Sequence, residues 1–357
     1  MSNNSDSAKN TATPSISLRE LRARRLIAQL LAPSAAHPLA STLHSQDPLA
    51  AICTVAEWMI ATQFQLRNSG LEALAIRAGT STQQVEEAIA QGLIVRSWSQ
   101  RGTHHALFAP DVSWVTRVCT PRVQAASTKR RPILGLTDAD VDTSRAALIE
   151  ALATSEAPLS RTECYEVFRS AGVDPGEQRG PHMLRHFGGE GEIIQGPFTG
   201  NADSFVLHDS VVSEARDVDK KKGREAAIVE LAVRYIDSRG PATPKDFAWW
   251  AGLTVKESKD AFAAAATQSQ SIQVTCNNVI YHMGNWQQEV TLKELNNALT
   301  LELRLPAFDE YLLAYKDRSQ VIEPHLTPEV GPSKNGMCWP FMVDNGEVQG
   351  RAPQSAG

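Results

Sequence analysis

The sequence contains no apolar run approaching the roughly 18 residues that a membrane span requires. Residues 1–17 are rich in Ser, Asn and Thr and lack an apolar core, which predicts a disordered tail rather than a secretory signal. Walker, G-x-G-x-x-G, H-E-x-x-H and G-x-S-x-G motifs are all missing. These absences exclude the commonest nucleotide-dependent and hydrolytic enzymes.

Cysteine is sparse and acidic residues exceed basic ones. The five cysteines lie far apart, with no C-x-x-C pair and no His at ligand spacing, so we expect neither a metal site nor a disulfide framework. Reduced thiols fit a cytoplasmic protein. A net charge of −5 argues against nucleic-acid binding over the whole surface but is compatible with a local basic face.

The chain does contain one local pattern three times: helices joined by a short turn, then a two-stranded ribbon. The copy over residues 131–215 is the clearest, because Ser160 and Glu163 form a capping box at a helix start. Strands are predicted at 193–196 and 204–207, on either side of a turn.

The two other copies follow the same order. Over residues 216–290, Thr254 and Glu257 form another capping box, and Asn277-Asn278 predicts a hairpin turn. Residues 291–357 break the pattern and predict a small C-terminal β subdomain, with a hairpin turn at Asp344-Asn345-Gly346.

The first copy covers residues 18–130. We predict one helix over residues 50–65 and another that Thr80 caps with Gln83 at the reciprocal position. A ribbon follows, with Arg101-Gly102-Thr103 at its tip.

The predicted fold is therefore mainly α with short β-hairpins, arranged as three tandem winged-helix units and a small C-terminal β subdomain. The alternative is a helical protein that happens to carry a few hairpins. Most winged-helix units bind DNA but some mediate only protein contacts, so the fold alone leaves function open.

Three blocks of sequence carry a resemblance to a known family. They occur in the order that the family shows and span nearly the whole chain. The blocks are Arg101-Gly102-Thr103-His104-His105 with Pro110-Asp111-Val112-Ser113-Trp114, then Gly240-Pro241-Ala242-Thr243 with Asp246-Phe247-Ala248-Trp249-Trp250-Ala251-Gly252-Leu253, then Pro306-Ala307-Phe308-Asp309-Glu310-Tyr311-Leu312-Leu313-Ala314-Tyr315-Lys316-Asp317-Arg318-Ser319. They resemble signatures of the AlkZ/YcaQ family of bacterial DNA glycosylases.

The catalytic element of that family is a Gln, a hydrophobic residue and another Gln, which Gln63-Phe64-Gln65 matches here. The resemblance implies that Gln63 and Gln65 hold the water that attacks the sugar, with no metal or organic cofactor. An N7-alkylated purine is cationic and leaves readily, so an oriented water and neutral dipoles suffice. By themselves, two glutamines of this spacing would be ordinary polar residues.

The chain departs from the family in two places. Many relatives follow the second Gln with Asp-Pro, whereas this chain has Leu66-Arg67. After Asp344-Asn345-Gly346 the sequence runs out where relatives usually continue into a further strand. Local support of the glutamine motif and the edge of the β subdomain are therefore expected to differ.

The predicted partner is double-stranded DNA, bound by a monomer. Candidate contacts are the first ribbon's tip, a basic linker after the first unit, and cations in the C-terminal signature; all of these also fit ordinary surface or internal ion pairs. The candidate DNA-binding residues are Arg101, Thr103, His104, Lys129, Arg130, Arg131, Lys316 and Arg318.

Two further groups have structural interpretations. Asp309 and Glu310 are adjacent and point different ways on a helix, so a shared-proton pair is not expected. Trp249-Trp250 and Phe247 fit a packed helix face better than a base-stacking surface.

Three functions remain open at this point. The first is a monofunctional glycosylase that removes N7-alkyl purine adducts, bulky or crosslinking ones included. The second is a non-catalytic winged-helix DNA-binding protein, such as a regulator or a lesion binder. The third is a protein-interaction scaffold without a DNA role.

Overall fold

Helices and short antiparallel strands alternate along the chain in the computed structural model, which describes residues 13–43, 46–198, 200, 202–333 and 335–353. The chain is mainly helical with small antiparallel sheets, which confirms this part of the predicted fold class. No helix in these ranges is long and apolar enough to cross a membrane.

An N-terminal helix, α1 (Leu18–Ala28), precedes the first block. The first block comprises α2 (Pro48–Met59), β1 (Ala61–Gln63), α3 (Arg67–Ala78), α4 (Thr82–Ala90), β2 (Ile94–Trp98), β3 (His104–Phe108), α5 (Val112–Cys119) and α6 (Pro121–Arg130). The middle block comprises α7 (Asp138–Thr154), β4 (Leu159–Ser160), α8 (Arg161–Ser170), α9 (Arg179–Glu190), β5 (Ile193–Gln195), β6 (Ser204–Leu207), α10 (His208–Val211) and α11 (Val218–Lys222).

The third block and the C-terminal segment complete the chain. The third block comprises α12 (Arg224–Arg239), α13 (Pro244–Ala251), α14 (Val255–Thr267), β7 (Ser271–Cys276) and β8 (Val279–Gly284). The C-terminal segment comprises α15 (Leu292–Leu299), β9 (Leu303–Leu305), α16 (Glu310–Leu313), α17 (Thr327–Val330), β10 (Phe341–Asp344) and β11 (Glu347–Arg351).

Local sequence signals located many of these elements correctly. The Ser160 side chain accepts from the Glu163 backbone N–H, and the Glu163 carboxylate accepts from the Ser160 backbone N–H. This is the predicted capping box. The same holds for Thr254 with Glu257. The hairpin of β7 and β8 turns at Asn277-Asn278, where both residues have positive φ.

Two local predictions in the first block were wrong. The helix expected over residues 50–65 ends at Met59, because Ile60 takes φ +62° and the next three residues pair with β3 as a strand. The capping box of α4 is Ser81 with Gln84, one residue beyond the pair that was predicted.

The hairpins of the first and middle blocks belong to one sheet rather than to two separate units. Its strand order is β1-β3-β2-β5-β6-β4, and Arg96 lies opposite Gln195 where the two hairpins meet. Each hairpin thereby covers a backbone edge of the other that would otherwise expose unpaired N–H and C=O groups. The boundary expected at residues 130 and 131 therefore separates two blocks that share a sheet.

The structure at the N-terminus differs from two predictions, the disordered tail over residues 1–17 and the grouping of the helix that follows it with the first unit. Residues 1–12 lie outside the described residues, but Ile16 donates a backbone hydrogen bond to Thr275 of β7 and Pro14 accepts one from it. The next helix, α1, packs against α15 and buries Leu26 in the C-terminal core. The apolar face of α1 therefore packs mainly on a partner far along the chain, although the sequence order groups α1 with the first unit.

Two buried ion pairs join the C-terminal segment to the rest of the molecule. Arg77 of α3 donates two hydrogen bonds of 2.9 Å to Asp309, and Arg239 of α12 pairs with Glu310 at 2.9 Å. All four side chains are at most 1% exposed. The two carboxylates face different arginines, so they are not a shared-proton pair, as predicted.

Candidate active site

Gln63 is the last residue of β1, and its side-chain amide is held in place by the surrounding backbone. Its Oε1 accepts from the N–H groups of Phe64 (2.9 Å) and Gln65 (3.2 Å), and its Nε2 donates to Thr103 Oγ1 at 3.4 Å. The residue is 7% exposed. Gln63 therefore presents a neutral amide in a fixed orientation at the point where the strand meets the first hairpin's tip.

Gln65 lies in a different environment although it is only two residues away. It is exposed in the turn between β1 and α3. Its backbone N–H donates to Gln63, but its side-chain amide makes no hydrogen bond to any other described residue. The motif therefore places one immobilised amide beside one that is free to reorient.

A buried carboxylate lies behind this turn. Glu310 Oε1 accepts from the Gln63 backbone N–H at 3.3 Å, while its Oε2 accepts from Arg239 (2.9 and 3.2 Å) and from Trp250 Nε1 (2.9 Å). Arg239 also donates to the carbonyls of Met59 and Ala61 on either side of the helix end. Glu310 and Arg239 thus fix the backbone that carries Gln63.

Sequence reasoning missed Glu310 and Arg239 as site residues. Glu310 was visible in the C-terminal signature, but adjacency to Asp309 was examined only for a shared proton. Nothing local in the sequence relates either residue to Gln63, because 247 positions separate Gln63 from Glu310.

The tip of the first hairpin packs on the third block instead of projecting freely. Arg101 takes φ +54° and donates to the carbonyls of Trp249 (3.3 Å) and Trp250 (2.8 Å). The next residue, Gly102, has φ +65°, and a Cβ there would lie 2.5 Å from Arg185 Nη2. The tip therefore joins α13, through Thr103, to the turn that carries Gln63 and Gln65, called the glutamine turn below.

The two histidines after the tip are uncharged at neutral pH. Burial lowers the pKa of His104 to about 4, and its ring nitrogens lie 3.1 and 3.3 Å from Gln195 Nε2. Burial and nearby Arg101 lower the pKa of His105 to about 3. His104, a predicted DNA contact, therefore carries no positive charge at neutral pH, and its ring contacts are internal.

A basic cavity of about 820 Å³ opens beside the hairpin tip, between α6, α9 and α13. No Asp or Glu is among the described residues that line it. Its lining cations are Arg101, Arg122, Arg130, Arg185, Lys245 and Lys316. Burial lowers the pKa of Arg101, and burial with nearby Arg130 lowers that of Arg185, because positive charge is crowded and partly desolvated.

The structure brings together only part of the predicted DNA-binding set. Arg101, Arg130 and Lys316 line the basic cavity. Arg318 lies near its wall, with its guanidinium 5.6 Å from the Trp249 ring centre, and donates to the Leu312 carbonyl. The other three lining cations were not predicted, because isolated basic residues so far apart in the sequence give no local signal. They are Arg122 of α6, Arg185 of α9 and Lys245 of α13.

The expected basic linker is structured. Lys129 is exposed on the last turn of α6 and Arg130 follows it, so neither lies in an extended linker. Arg131 begins a short 3-10 turn and donates to Asp138 at 2.7 Å, with its other Nη 2.6 Å from His186 Nε2. Its side chain is 12% exposed, so its charge mainly contacts groups of the protein itself.

A family model described as DNA glycosylase AlkZ-like matches residues 56–356. The chain belongs to the AlkZ-like DNA glycosylase family. The solved structure of Streptomyces sahachiroi DNA glycosylase AlkZ superposes with a TM-score of 0.68 at 21% identity, covering 94% of this chain and 87% of that one. At this identity the likeness shows a common fold. No curated protein sequence matches the chain.

The departure from the AlkZ-like pattern at Leu66-Arg67 has a structural counterpart. Arg67 pairs with Glu86 at 2.8 Å and donates to the Gly200 carbonyl at 2.6 Å. Its guanidinium also lies 3.8 Å from the ring centre of Phe198, which stacks at 6.4 Å on Phe64 between the two glutamines. In this AlkZ-like chain the β5–β6 loop therefore supports the glutamine turn.

No group of three His, Cys, Asp or Glu side chains within the described part of this AlkZ-like chain is placed to hold a metal ion.

Proposed function

We propose that the chain is a monofunctional DNA glycosylase that hydrolyses the N-glycosidic bond of N7-alkylated purines, bulky or crosslinking adducts included. Membership of the AlkZ-like family supports DNA glycosylase activity. The observation that carries the catalytic part is the fixed amide of Gln63 beside the exposed amide of Gln65, with a buried carboxylate behind them.

The proposed reaction needs no general acid to protonate the leaving purine, because N7 alkylation already gives that purine a positive charge. Water adds its oxygen to C1′ as the C1′–N9 bond breaks, and the bonding electrons go to the purine and neutralise its positive charge. The water's surplus proton passes to solvent. Amide oxygens orient the water and stabilise positive charge on the sugar while they remain neutral.

The two glutamines divide this work in our proposal. Gln63 is the fixed member, because two backbone N–H groups and Thr103 set the plane of its amide. Gln65 is exposed and adjusts to the sugar when DNA binds. Glu310 and Arg239 are positioning residues, since they contact the backbone that carries Gln63.

Double-stranded DNA is proposed to lie along the basic cavity beside this turn. The described residues that line it include six cations and no carboxylate, and they provide the local positive face that the net charge of −5 obscures. In this proposal the three helix-and-hairpin blocks act as winged-helix units of a cytoplasmic monomer, and no metal or organic cofactor takes part.

The test is release of base from a duplex carrying a single N7-methylguanine. Wild type should release the base, and Gln63→Ala/Gln65→Ala should be slower by about 100-fold or more while DNA affinity is unchanged. Gln83→Ala is the matched control, because Gln83 is an exposed glutamine on α4 outside the motif. Equal rates for wild type and the double variant would contradict the proposal.

One observation favours a second function, a non-catalytic DNA-binding protein. Gln63 Oε1 already accepts from two backbone N–H groups, which leaves it little capacity to hold a water. In that case wild type and the double variant bind the duplex equally and neither releases base.

A further inference from the structure

Trp249 is exposed where its neighbours on α13 are buried. Phe247 and Trp250 are fully buried, as their predicted packing role requires, whereas Trp249 is 36% exposed. Its indole lines the basic cavity. The packed-face prediction is therefore wrong for Trp249, which leaves part of a large apolar ring in contact with water.

Three cations surround this indole. The charged groups of Lys316, Arg101 and Arg318 lie 4.8, 5.3 and 5.6 Å from its ring centre. Cations at these distances are attracted to the ring electrons and crowd one another. A ligand with a flat, uncharged part and an attached anion would satisfy the ring and the cations together.

The cavity also has the size and the rigid walls that such a ligand needs. Its volume of about 820 Å³ falls within the range for small-ligand sites, enough for a nucleotide. Arg101 is held by the carbonyls of Trp249 and Trp250, and Trp250 donates to Glu310, which also accepts from the backbone of Gln63. Trp249 is therefore fixed relative to the glutamine turn.

We propose that Trp249 stacks on a nucleobase that has left the helical stack of the bound DNA, with the flanking phosphates on Arg101, Lys316 and the other lining cations. This inference rests on the proposed function only in taking DNA as the ligand. Stacking of a base on an aromatic ring tolerates any base, so the site recognises unstacking rather than sequence. It gives the protein a means to prefer distorted duplexes.

The experiment compares binding of two fluorescein-labelled duplexes at one salt concentration, one fully paired and one with a single unpaired thymine. Wild type should prefer the unpaired thymine by about ten-fold, and Trp249→Ala should lose that preference while keeping its affinity for paired DNA. Trp249→Phe should keep most of the preference, because it retains a ring.

Trp339→Ala is the matched control. Trp339 is 39% exposed with the Arg351 guanidinium 3.8 Å from its ring centre, yet it does not line the cavity. It should behave as wild type. Indole emission should also be quenched by the thymine duplex in wild type, and less so in Trp249→Phe.

The proposal is overturned if Trp249→Ala keeps the preference, if it loses affinity for both duplexes equally, or if wild type binds neither. N7-methylguanine release is measured in parallel. No release with an intact preference contradicts the glycosylase and supports the stacking site. Release of N7-methylguanine without any preference for the unpaired thymine supports the glycosylase and contradicts the stacking site.

Discussion

The glutamine turn and the basic cavity lie on either side of the same hairpin tip, but their chemistry differs. The turn is neutral at its surface, and the charges behind it are buried and paired, as in Arg239 with Glu310. The cavity has charges at its surface, and within the described part of the chain no carboxylate lines it to pair with them. Neutral dipoles suit hydrolysis of a cationic lesion, whereas positive charges suit binding of polyanionic DNA. The proposed function therefore requires both regions and requires them to be separate.

Removing the charge behind the turn should have the largest effect. Glu310→Gln leaves buried Arg239 without its carboxylate, so the free energy of unfolding should fall by about 3–5 kcal/mol. Urea denaturation measures the decrease. Glu323→Gln, at an exposed position, should change stability little. A stable Glu310→Gln variant would show that the pair does not hold the turn.

Neutralising the cavity should weaken binding and leave the turn intact. Arg185→Ala/Lys245→Ala/Lys316→Ala should reduce affinity for duplex DNA about 10- to 100-fold at low salt. The slope of log affinity against log salt should also become shallower, by about 0.9 for each DNA phosphate that the variant no longer neutralises. Titrations at several salt concentrations give both quantities.

The control for the cavity variant removes three exposed lysines elsewhere, so that both variants lose three positive charges. Lys256→Ala/Lys259→Ala/Lys293→Ala lie outside the cavity lining and should leave affinity and slope nearly unchanged. If both triple variants weaken binding equally, net charge rather than the cavity governs DNA affinity.

Acid should destabilise the hairpin that separates the two regions. The folded-state pKa of His104 is lowered to about 4 by burial, so the native protein resists its protonation while the unfolded chain does not. The stability it contributes is complete above about pH 6.5 and is lost as the pH falls toward 4. His104→Gln should therefore remove about 1–2 kcal/mol of the decline between pH 7 and pH 5.

Denaturation at each pH checks this expectation. His325→Gln serves as the control, because His325 is exposed. An unchanged pH dependence in His104→Gln would mean that burial of this ring does not govern its protonation.

Removing the arginine that supports the β5–β6 loop should have the smallest effect. Arg67→Ala eliminates the hydrogen bond to Gly200 and the stacking on Phe198, and should cost about 1 kcal/mol because the ion pair to Glu86 is partly exposed. Base release should slow several-fold. Arg169→Ala, which removes an exposed pair with Glu166, should affect neither. A slowed reaction in both variants would contradict a role for the β5–β6 loop.

Local signals in the sequence predicted local structure well. Capping residues and hairpin turns depend on interactions within a few positions, so Ser160 with Glu163 and the Asn277-Asn278 turn were found where expected. Position within the chain predicted assembly poorly. The α1 helix and the shared sheet at Arg96 and Gln195 depend on partners that no local pattern specifies.

The same distinction applies to the candidate site. Resemblance to a family indicated Gln63 and Gln65, but their unequal burial depends on backbone geometry after Ile60. Glu310 and the cavity cations on α6, α9 and α13 approach the turn only in the folded chain. For Trp249 the sequence favoured packing, but the structure leaves it partly exposed. Which residues of a helix of eight residues are buried depends on the elements that pack around it, and the sequence of the helix does not specify them.

The central claim is that the glutamine turn hydrolyses the lesion that the basic cavity presents to it. Single-turnover release of N7-methylguanine, measured with DNA affinity for wild type, Gln63→Ala/Gln65→Ala and the cavity variant, tests it most directly. The account predicts that the glutamine variant binds but does not cleave, and that the cavity variant cleaves at near the wild-type rate once DNA is saturating. Undiminished cleavage by the glutamine variant would contradict it.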